Sequence, residues 1–219
     1  MGWDTLESPT YRKKLLPTYQ EGRQFDDDLL EQLQDLPALV EAFGFLCAKG
    51  AGYEADDFLA TVVTRQERKG GRTSLASADR DMFQLASELT TILQPAKGGV
   101  WTRIGPTEVR ARYGVEPSQV PDFIVLRGDP SDRIPGARGV GSATAASLLR
   151  KYGTLEDMLA AGRYSEQAEA LRRYKQIATM DRAAPINPSR VQRSNWARAE
   201  ELARDWGLNQ LAARLSTMR

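Results

Sequence analysis

The sequence predicts an α/β domain at residues 1–105, followed by an all-helical module at residues 106–219. Two observations support this fold class. Helix-like and strand-like patterns alternate before Pro106, whereas the chain after it consists of short segments with apolar residues at helical spacing, joined by glycines. The 219 residues are enough for one sizeable domain and a smaller module.

The first half contains helices and strands in an order that suits an open sheet covered by helices. Residues 8–24 are basic and aromatic and are interrupted by Pro17, so we expect an irregular or short helical segment there. An acidic start and periodic leucines predict a helix over residues 26–46, and a second helix begins near Glu54. Three short strands follow, at 73–77, 90–96 and 99–105.

The second half is predicted to be helical almost to its end. Its joints hold glycine or proline, residues that end one helix and let the chain turn into the next. The helical segments lie at 106–114, 117–128, 142–153, 154–162, 165–180 and 196–207.

Composition excludes several kinds of site. The chain has no histidine, which removes His-based catalytic triads, ordinary zinc sites and imidazole acid–base chemistry. A single cysteine, Cys47, cannot build a disulfide framework and indicates a reducing cytoplasm. No apolar run approaches the length of a membrane span, and the first residues lack the apolar core of a signal peptide. Any bound metal must therefore have oxygen ligands, which favours magnesium or manganese.

Charge is distributed unevenly along the chain. Residues 1–132 carry 15 Lys/Arg and 21 Asp/Glu, a net charge of −6, whereas residues 133–219 carry 15 and 8, a net charge of +7. An acidic half beside a basic half suits a metal site next to a phosphate-binding surface. Two domains that merely attract each other would show the same asymmetry.

Three acidic clusters are candidates for a metal site: EADD at 54–57, ADRD at 78–81 and GDPSD at 128–132. Each cluster alone is more often helix capping or turn chemistry. Three clusters on successive connections favour a shared role, because converging carboxylates repel one another unless cations neutralise them. Two divalent ions at such a site could activate water and stabilise the leaving oxygen of a phosphodiester.

A glycine-rich segment, IPGARGVGSATAASLL at 134–149, is the second signal. A P-loop does not fit because Ser142 and Ala143 occupy its Lys-Ser/Thr positions, and a GxGxxG motif fails at Thr144. A helix–hairpin–helix at about residues 122–152 fits better and predicts that amide groups of 139–141 contact one DNA phosphate. An ordinary αα turn with glycine caps is the alternative.

These segments resemble the signature motifs of the 5′→3′ exonuclease and flap endonuclease family, the nuclease type found in bacterial DNA polymerase I. The resemblance rests on GYEADDFLAT, SADRDMFQLAS and DFIVLRGDPSDRIPGARGVGSATAASLLRKYGTLEDML. It implies a PIN-like nuclease domain with two divalent cations (Mg²⁺ or Mn²⁺) and a helix–hairpin–helix that often carries K⁺. The implied substrate is DNA with 5′ single-stranded ends or flaps, cut during replication and repair near the bacterial nucleoid, with a DNA polymerase as a further partner.

The resemblance also assigns roles by motif position. The metal ligands it implies are Asp4, Glu54, Asp56, Asp57, Asp79, Asp81, Asp129 and Asp132. Glu54, Asp56, Asp79 and Asp81 are expected nearest the metals. The DNA-binding residues it implies are Arg12, Tyr19 and Arg23, which guide the 5′ strand, and Gly139, Val140, Gly141, Ser142 and Thr144 at the hairpin. Without the resemblance, the basic segment around residues 12–23 would be interpreted as a solvated loop.

Three features depart from the family pattern. The family begins with a strand that carries a metal-binding Asp upstream of the start of this chain, so we expect an N-terminally truncated domain with an open sheet edge and a tendency to self-associate. Gln20 and Ala143 stand where the family usually has lysines. The first two departures bear on catalysis and the third on affinity, so DNA binding is expected to survive better than cleavage.

Two other functions stay open on the sequence alone. One is a DNA-structure-binding protein that keeps the fold but cuts little or not at all. The other is an acidic α/β regulatory domain that binds cations only for stability. Steep salt dependence of DNA binding separates the second from the DNA-acting proteins, and metal-dependent cleavage separates a nuclease from a binding protein.

Overall fold

The structure of the chain, a computed structural model, describes residues 1–5, 8–186 and 193–218. Its α/β part contains α1 (Tyr11–Leu15), α2 (Asp27–Ala42), α3 (Ala55–Glu67), β1 (Thr73–Ala76), β2 (Thr90–Pro95) and β3 (Trp101–Ile104). The helical part contains α4 (Pro106–Tyr113), α5 (Val120–Arg127), α6 (Ser142–Tyr152), α7 (Leu155–Ala160), α8 (Ala168–Ala178), α9 (Trp196–Asp205) and α10 (Asn209–Leu215). The predicted α/β domain followed by a helical module is confirmed.

The sheet has the order β1-β2-β3, with β1 parallel and β3 antiparallel to β2. Ile92 of β2 pairs with Ile104 of β3, and both side chains are fully buried. Within the described residues, β1 pairs only with β2, and a separate parallel bridge joins Gly2 to Ala48. All three predicted strands therefore form, and β1 lies at an edge of the sheet.

One hydrophobic core joins the sheet to the helical module. It contains Ile92 of the sheet, Val63 of α3 and Leu149 of α6. At its centre is α5, in which every residue from Val120 to Leu126 is buried, because α6, α8 and the turn at residues 81–85 pack on it from several sides. The two predicted halves therefore share the apolar surface that stabilises both.

A second, smaller cluster packs α2 against α9 and α10. Leu39 of α2 lies there with Leu202 of α9 and Leu215 of α10. The sequence analysis did not predict α10, which begins after Leu208 without a side-chain hydrogen bond at its N-cap. No helix in the described ranges combines the length and the hydropathy of a bilayer-spanning segment.

A tight loop after α5 positions the third acidic cluster. Asp129 and Ile134 form an antiparallel bridge, with two backbone hydrogen bonds of 2.8 Å. Gly128 and Gly136 face each other across this bridge with φ values of +82° and +84°. A Cβ on Gly136 would lie 2.6 Å from the Gly128 nitrogen, so the loop closes only because both positions are glycine.

Candidate metal centre and nucleic-acid interface

A polar cavity of about 350 Å³ lies where the acidic loops meet. It is lined by carboxylates from four separate parts of the chain: Asp4, Glu54, Asp56, Asp79, Asp81, Asp129 and Asp132. Seven of the eight side chains predicted to bind metal are thus brought to one place. The convergence is a product of the fold, because α3, the end of β1 and the loop after α5 deliver these residues from sequence positions far apart.

Asp57 is the exception, and its assignment as a metal ligand is wrong in this structure. Its side chain is fully buried away from the cavity and accepts two hydrogen bonds of 2.8 Å from the Arg12 guanidinium. The same carboxylate also accepts from the backbone N–H groups of Glu54 and Asp181, at 3.1 Å and 2.8 Å. These donors occupy both oxygens, so Asp57 anchors the start of α3 rather than facing an ion.

Arg12, predicted to bind DNA, is instead a structural cation. It is 3% exposed, and its Nε donates to the Ile177 carbonyl while its two terminal nitrogens hold Asp57. Its guanidinium also lies 3.4 Å from Glu54. Arg12 therefore joins α1 to α3 and α8 and reaches the wall of the cavity, but it offers no free cation to a DNA backbone.

Glu54, the N-cap of α3, is held by several partners. Its carboxylate accepts from the Thr10 hydroxyl at 2.8 Å and the Tyr19 hydroxyl at 3.0 Å. Burial raises the pKa of Glu54, while the positive charge of Arg12 opposes that rise. Tyr19 is itself 4% exposed, so this predicted DNA-binding residue positions Glu54 from within the core. Asp4 lies beside the same helix start and accepts from the Ala55 N–H at 2.8 Å.

Asp56 and Asp81 are the two carboxyl groups of the cavity whose pKa values are raised most. Burial raises the pKa of Asp56 to about 7, and the neighbouring Asp79 carboxylate adds to the rise. Burial also raises the pKa of Asp81 to about 8, again with Asp79 as the main charged neighbour. Asp79 accepts the Asp81 N–H at 2.8 Å, which fixes these two residues at the end of β1.

The remaining carboxylates lie on the loop after α5. Asp129 accepts from the Ser131 backbone N–H at 2.9 Å and the Ser131 hydroxyl at 2.6 Å, so the loop itself holds this side chain. Asp132 accepts from the Gln20 amide at 3.1 Å, and burial raises its pKa. Arg23, a predicted DNA-binding residue, is half-exposed, lines the cavity and lies 3.7 Å from Asp132.

Gln20, the residue that replaces a family lysine, links the two sides of the cavity. Its amide nitrogen donates to the Tyr19 hydroxyl at 2.9 Å as well as to Asp132. Its φ of +50° is a left-handed conformation that directs the side chain between these partners. The group that the chain places beside Asp132 at this position is thus a neutral amide.

The donor set fits divalent cations that prefer oxygen. Burial is the main cause of the raised pKa values of Asp56 and Asp81, and neighbouring carboxylates add to it, so a bound cation would favour their ionised forms. Among the residues that the structure describes, no three acidic side chains are close enough to enclose an ion by themselves. A divalent cation held by one or two carboxylates, with waters as its other ligands, is compatible with that arrangement.

The predicted hairpin forms between α5 and α6, outside the carboxylate cavity. Gly139 has a φ of +76°, and Gly141 is the N-cap of α6. Ser142 and Thr144 are exposed on the first turn of α6, where a phosphate could reach them. The prediction that Val140 binds DNA is wrong in this structure. Its side chain is 7% exposed, and its N–H donates to the Ala137 carbonyl at 3.1 Å. The amides offered to a phosphate are therefore those of the flanking glycines.

The sequence analysis did not assign several residues of the cavity wall, among them Arg80, Arg127 and Ser131. Arg127, at the end of α5, lies 3.4 Å from Asp129, and Ser131 holds the same carboxylate. The signal for Arg127 was its place directly before the Gly128 turn, which aims the last side chain of α5 at the loop that follows.

Two family models match the chain in sequence. Residues 1–114 match "5'-3' exonuclease, N-terminal resolvase-like domain", and residues 115–199 match "5'-3' exonuclease, C-terminal SAM fold". Among curated relatives, DNA polymerase I of Mycobacterium tuberculosis is 40% identical over 152 residues, which cover 68% of this chain and 17% of the relative. DNA polymerase I of Deinococcus radiodurans is 41% identical over 148 residues, covering 67% and 15%. The chain thus spans less than a fifth of these relatives.

Solved structures share the fold. A zinc-bound T5 5'-exonuclease superposes with a TM-score of 0.70 at 16% identity, covering 99% of this chain and 81% of that one. The catalytic core of Rad2 in complex with DNA superposes with a TM-score of 0.58 at 11% identity, covering 98% and 77%. At these identities the likeness concerns the fold alone.

Proposed function

The chain belongs to the 5′-3′ exonuclease family, and from that premise we propose that it is a metal-dependent nuclease that hydrolyses phosphodiester bonds of DNA at 5′ ends and 5′ flaps. The observation that carries the proposal is the convergence of seven carboxylates on one cavity, two of them with strongly raised pKa values. A stability role for the cations alone does not explain the hairpin beside this cavity.

Asp56 and Asp81 are the proposed principal metal ligands, with Asp79 and Asp4 beside them. Glu54 has a supporting role, because Thr10 and Tyr19 already occupy its oxygens. Magnesium or manganese ions bound there would supply positive charge at the scissile phosphate and a lowered pKa for the attacking water. The related zinc-bound T5 5'-exonuclease supports a divalent cation in this fold.

The chain's own residues hold the substrate against these carboxylates. Arg23 lies at the cavity mouth with half of its side chain exposed, so it can contact a phosphate as well as Asp132. The glycine amides at the hairpin and the first turn of α6 offer donors to a second phosphate. Asp57 and Arg12 keep the start of α3 rigid, and this holds Asp56 in place.

One observation favours a second candidate function, a DNA-structure-binding protein with little catalysis. Gln20 places a neutral amide on Asp132 where the family usually supplies a lysine. The scissile phosphate would then lose one cation, whereas the hairpin contacts would be unaffected. Salt-dependent binding of DNA without cleavage would be the signature of this alternative.

Cleavage of a 5′-labelled flap duplex in Mg²⁺, Mn²⁺ or EDTA tests the proposal. We expect short 5′ products with either metal and none in EDTA. Asp81→Asn should abolish them, whereas Asp28→Asn, a matched change at an exposed position of α2, should leave the rate unchanged. Flap binding without products in any metal would establish the binding protein instead.

We extend the proposal to partners and location. Relatives of about 40% identity are DNA polymerases I, which supports a DNA polymerase as the source of the flaps. A potassium ion on the hairpin carbonyls is proposed from the family pattern, and replacing K⁺ by Na⁺ at constant ionic strength tests it through DNA affinity. A DNA substrate and a single cysteine support a cytoplasmic, nucleoid-associated protein, which imaging of a tagged chain would check.

A further inference from the structure

A second cavity, the arginine pocket, lies between α4, α5 and the start of α6. Its volume is about 420 Å³, and Arg112, Arg127 and Arg150 line it together with Ser142 and Ala143. None of the described residues on its wall is a carboxylate. Three guanidinium groups thus share one cavity, and only Arg127 has a carboxylate partner, Asp129, which lies outside the pocket wall.

An aromatic ladder holds two of these arginines in place. Tyr113 stacks on Phe123 with a centroid distance of 4.9 Å and packs against Phe83 at 5.6 Å. Arg127 lies over Tyr113 and Phe123, at 5.8 Å and 5.4 Å from the ring centroids, and Arg112 lies 5.6 Å from that of Phe83. Cation–π contacts fix the guanidinium planes without neutralising their charge.

The hydrogen bonds of these arginines also leave their charge available. Arg112 donates to the Gln94 side-chain oxygen at 2.7 Å, and Arg150 donates to the Gly114 carbonyl at 3.3 Å, both neutral acceptors. Arg127 has a carboxylate partner, Asp129 at 3.4 Å, but its Nε is buried and has no partner among the described residues. A buried N–H of this kind is costly unless an acceptor occupies the site.

The pocket also contains the beginning of α6, an 11-residue helix. Gly141 caps it without a side chain, and its first turn has no acidic residue, so the free N–H groups remain exposed to an anion. Ala143 supplies no charge there. The three arginines come from α4, α5 and the last turn of α6, and together they place positive charge where this turn lacks it.

We propose that the arginine pocket binds one backbone phosphate of the DNA substrate. Arg127 lines both this pocket and the carboxylate cavity, so a strand bound in the pocket continues toward the proposed cleavage site. The ligand is a phosphodiester rather than a free anion, because the pocket includes the start of α6 at the hairpin and shares Arg127 with the carboxylate cavity. This inference rests on the proposed function, since it assigns a subsite to the same substrate.

Binding of a fluorescent flap duplex, measured by anisotropy in EDTA over a range of salt concentrations, tests the pocket without any cleavage. The test protein is Arg112→Gln/Arg150→Gln, which leaves Arg127 and the carboxylate cavity intact. The control is Arg110→Gln, which removes an exposed arginine of α4 that lies outside the pocket and pairs with Glu116 at 2.9 Å. Thermal melts of each variant check that it is folded.

We expect the double variant to bind about tenfold more weakly and to lose about one unit of the slope of log K against log salt, because one phosphate contact is removed. Arg110→Gln should retain the wild-type slope. A scan of single neutral methylphosphonates should find one position that weakens the wild type and has no further effect on the double variant.

Equal affinity and slope for the double variant and Arg110→Gln would refute the proposal that the pocket binds a phosphate. A wild type that does not bind DNA would refute it as well. If the wild type cleaves flaps while the pocket variants bind normally, the proposed function stands and the pocket fails. If the pocket variants bind weakly in EDTA and no metal supports cleavage, phosphate binding by the pocket is supported and the nuclease function is refuted.

Discussion

Replacing Arg12 by methionine tests whether the buried ion pair holds the acidic helix start in place. Arg12→Met keeps most of the side-chain length but removes the charge that faces Asp57. Arg12 is 3% exposed and Asp57 is fully buried, with two hydrogen bonds of 2.8 Å between them. The variant leaves the Asp57 carboxylate in the core, with only neutral donors around it.

The expected cost follows from that burial. Removing one partner of a buried pair typically destabilises a protein by about 3–5 kcal/mol, because the other charge stays desolvated. With a urea dependence of roughly 2 kcal/mol per molar, the unfolding midpoint should fall by about 2 M. A second, smaller loss comes from the hydrogen bond that Arg12 donates to the Ile177 carbonyl.

Urea unfolding followed by far-ultraviolet circular dichroism measures this loss. The matched control is Arg172→Met, which removes the exposed pair with Glu156, whose side chains are both 50% exposed. Exposed pairs contribute about 0–1 kcal/mol, so the control should unfold near the wild-type midpoint. Arg12→Met/Asp57→Leu should be more stable than Arg12→Met, because the fully buried Asp57 charge is removed together with its partner. A loss below about 1 kcal/mol in Arg12→Met would refute the reasoning.

The remaining predictions concern the cavity and its loops. Burial raises the folded pKa of Asp81 to about 8 against an ordinary 3.8, so the folded state loses stability relative to the unfolded chain as the pH rises through that range. In EDTA, Asp81→Asn should therefore be more stable than the wild type above pH 8 and not below pH 4, and parallel curves would contradict this. Gly128→Ala should destabilise by about 3 kcal/mol, because its Cβ would lie 2.8 Å from a backbone oxygen. The control Gly52→Ala, with φ of +85° and open space, should lose only about 1 kcal/mol in thermal melts, and equal losses would rule out the steric account. Gln20→Lys should raise the rate of flap cleavage roughly tenfold by adding a cation beside the carboxylates, and an equal gain from exposed Gln24→Lys would indicate a general charge effect.

Local patterns in the sequence predicted most of the fold. The helix beginning near Glu54 and the three strands appear within a residue or two of the predicted bounds, because capping and periodicity act over neighbouring positions. The helix α10 was missed, since Asn209–Leu215 has no capping side chain and depends on contacts with α2 and α9. The core that joins the α/β part to the helical part was not predictable from the pattern of either one.

Adjacent acidic residues illustrate the limit of that reasoning. For the EADD cluster as a whole, helix capping and metal binding were alternative roles. In the structure, adjacent residues of the cluster have different roles. Asp57 receives the Glu54 N–H and the Arg12 guanidinium, whereas Asp56 faces the cavity. Successive residues on a helix point about 100° apart, so two identical side chains reach different surroundings.

The sequence by itself determined the chemistry that is available: oxygen ligands without histidine, three acidic connections, and a glycine hairpin whose types and spacing are fixed by the chain. The tertiary structure alone decided which groups meet. In the folded chain Arg12 is buried, and the Val140 N–H donates to a carbonyl of its own turn. Three arginines from three helices line one pocket. The physical reason is that capping and periodicity depend on neighbours in sequence, whereas burial and charge pairing depend on packing between residues far apart along the chain.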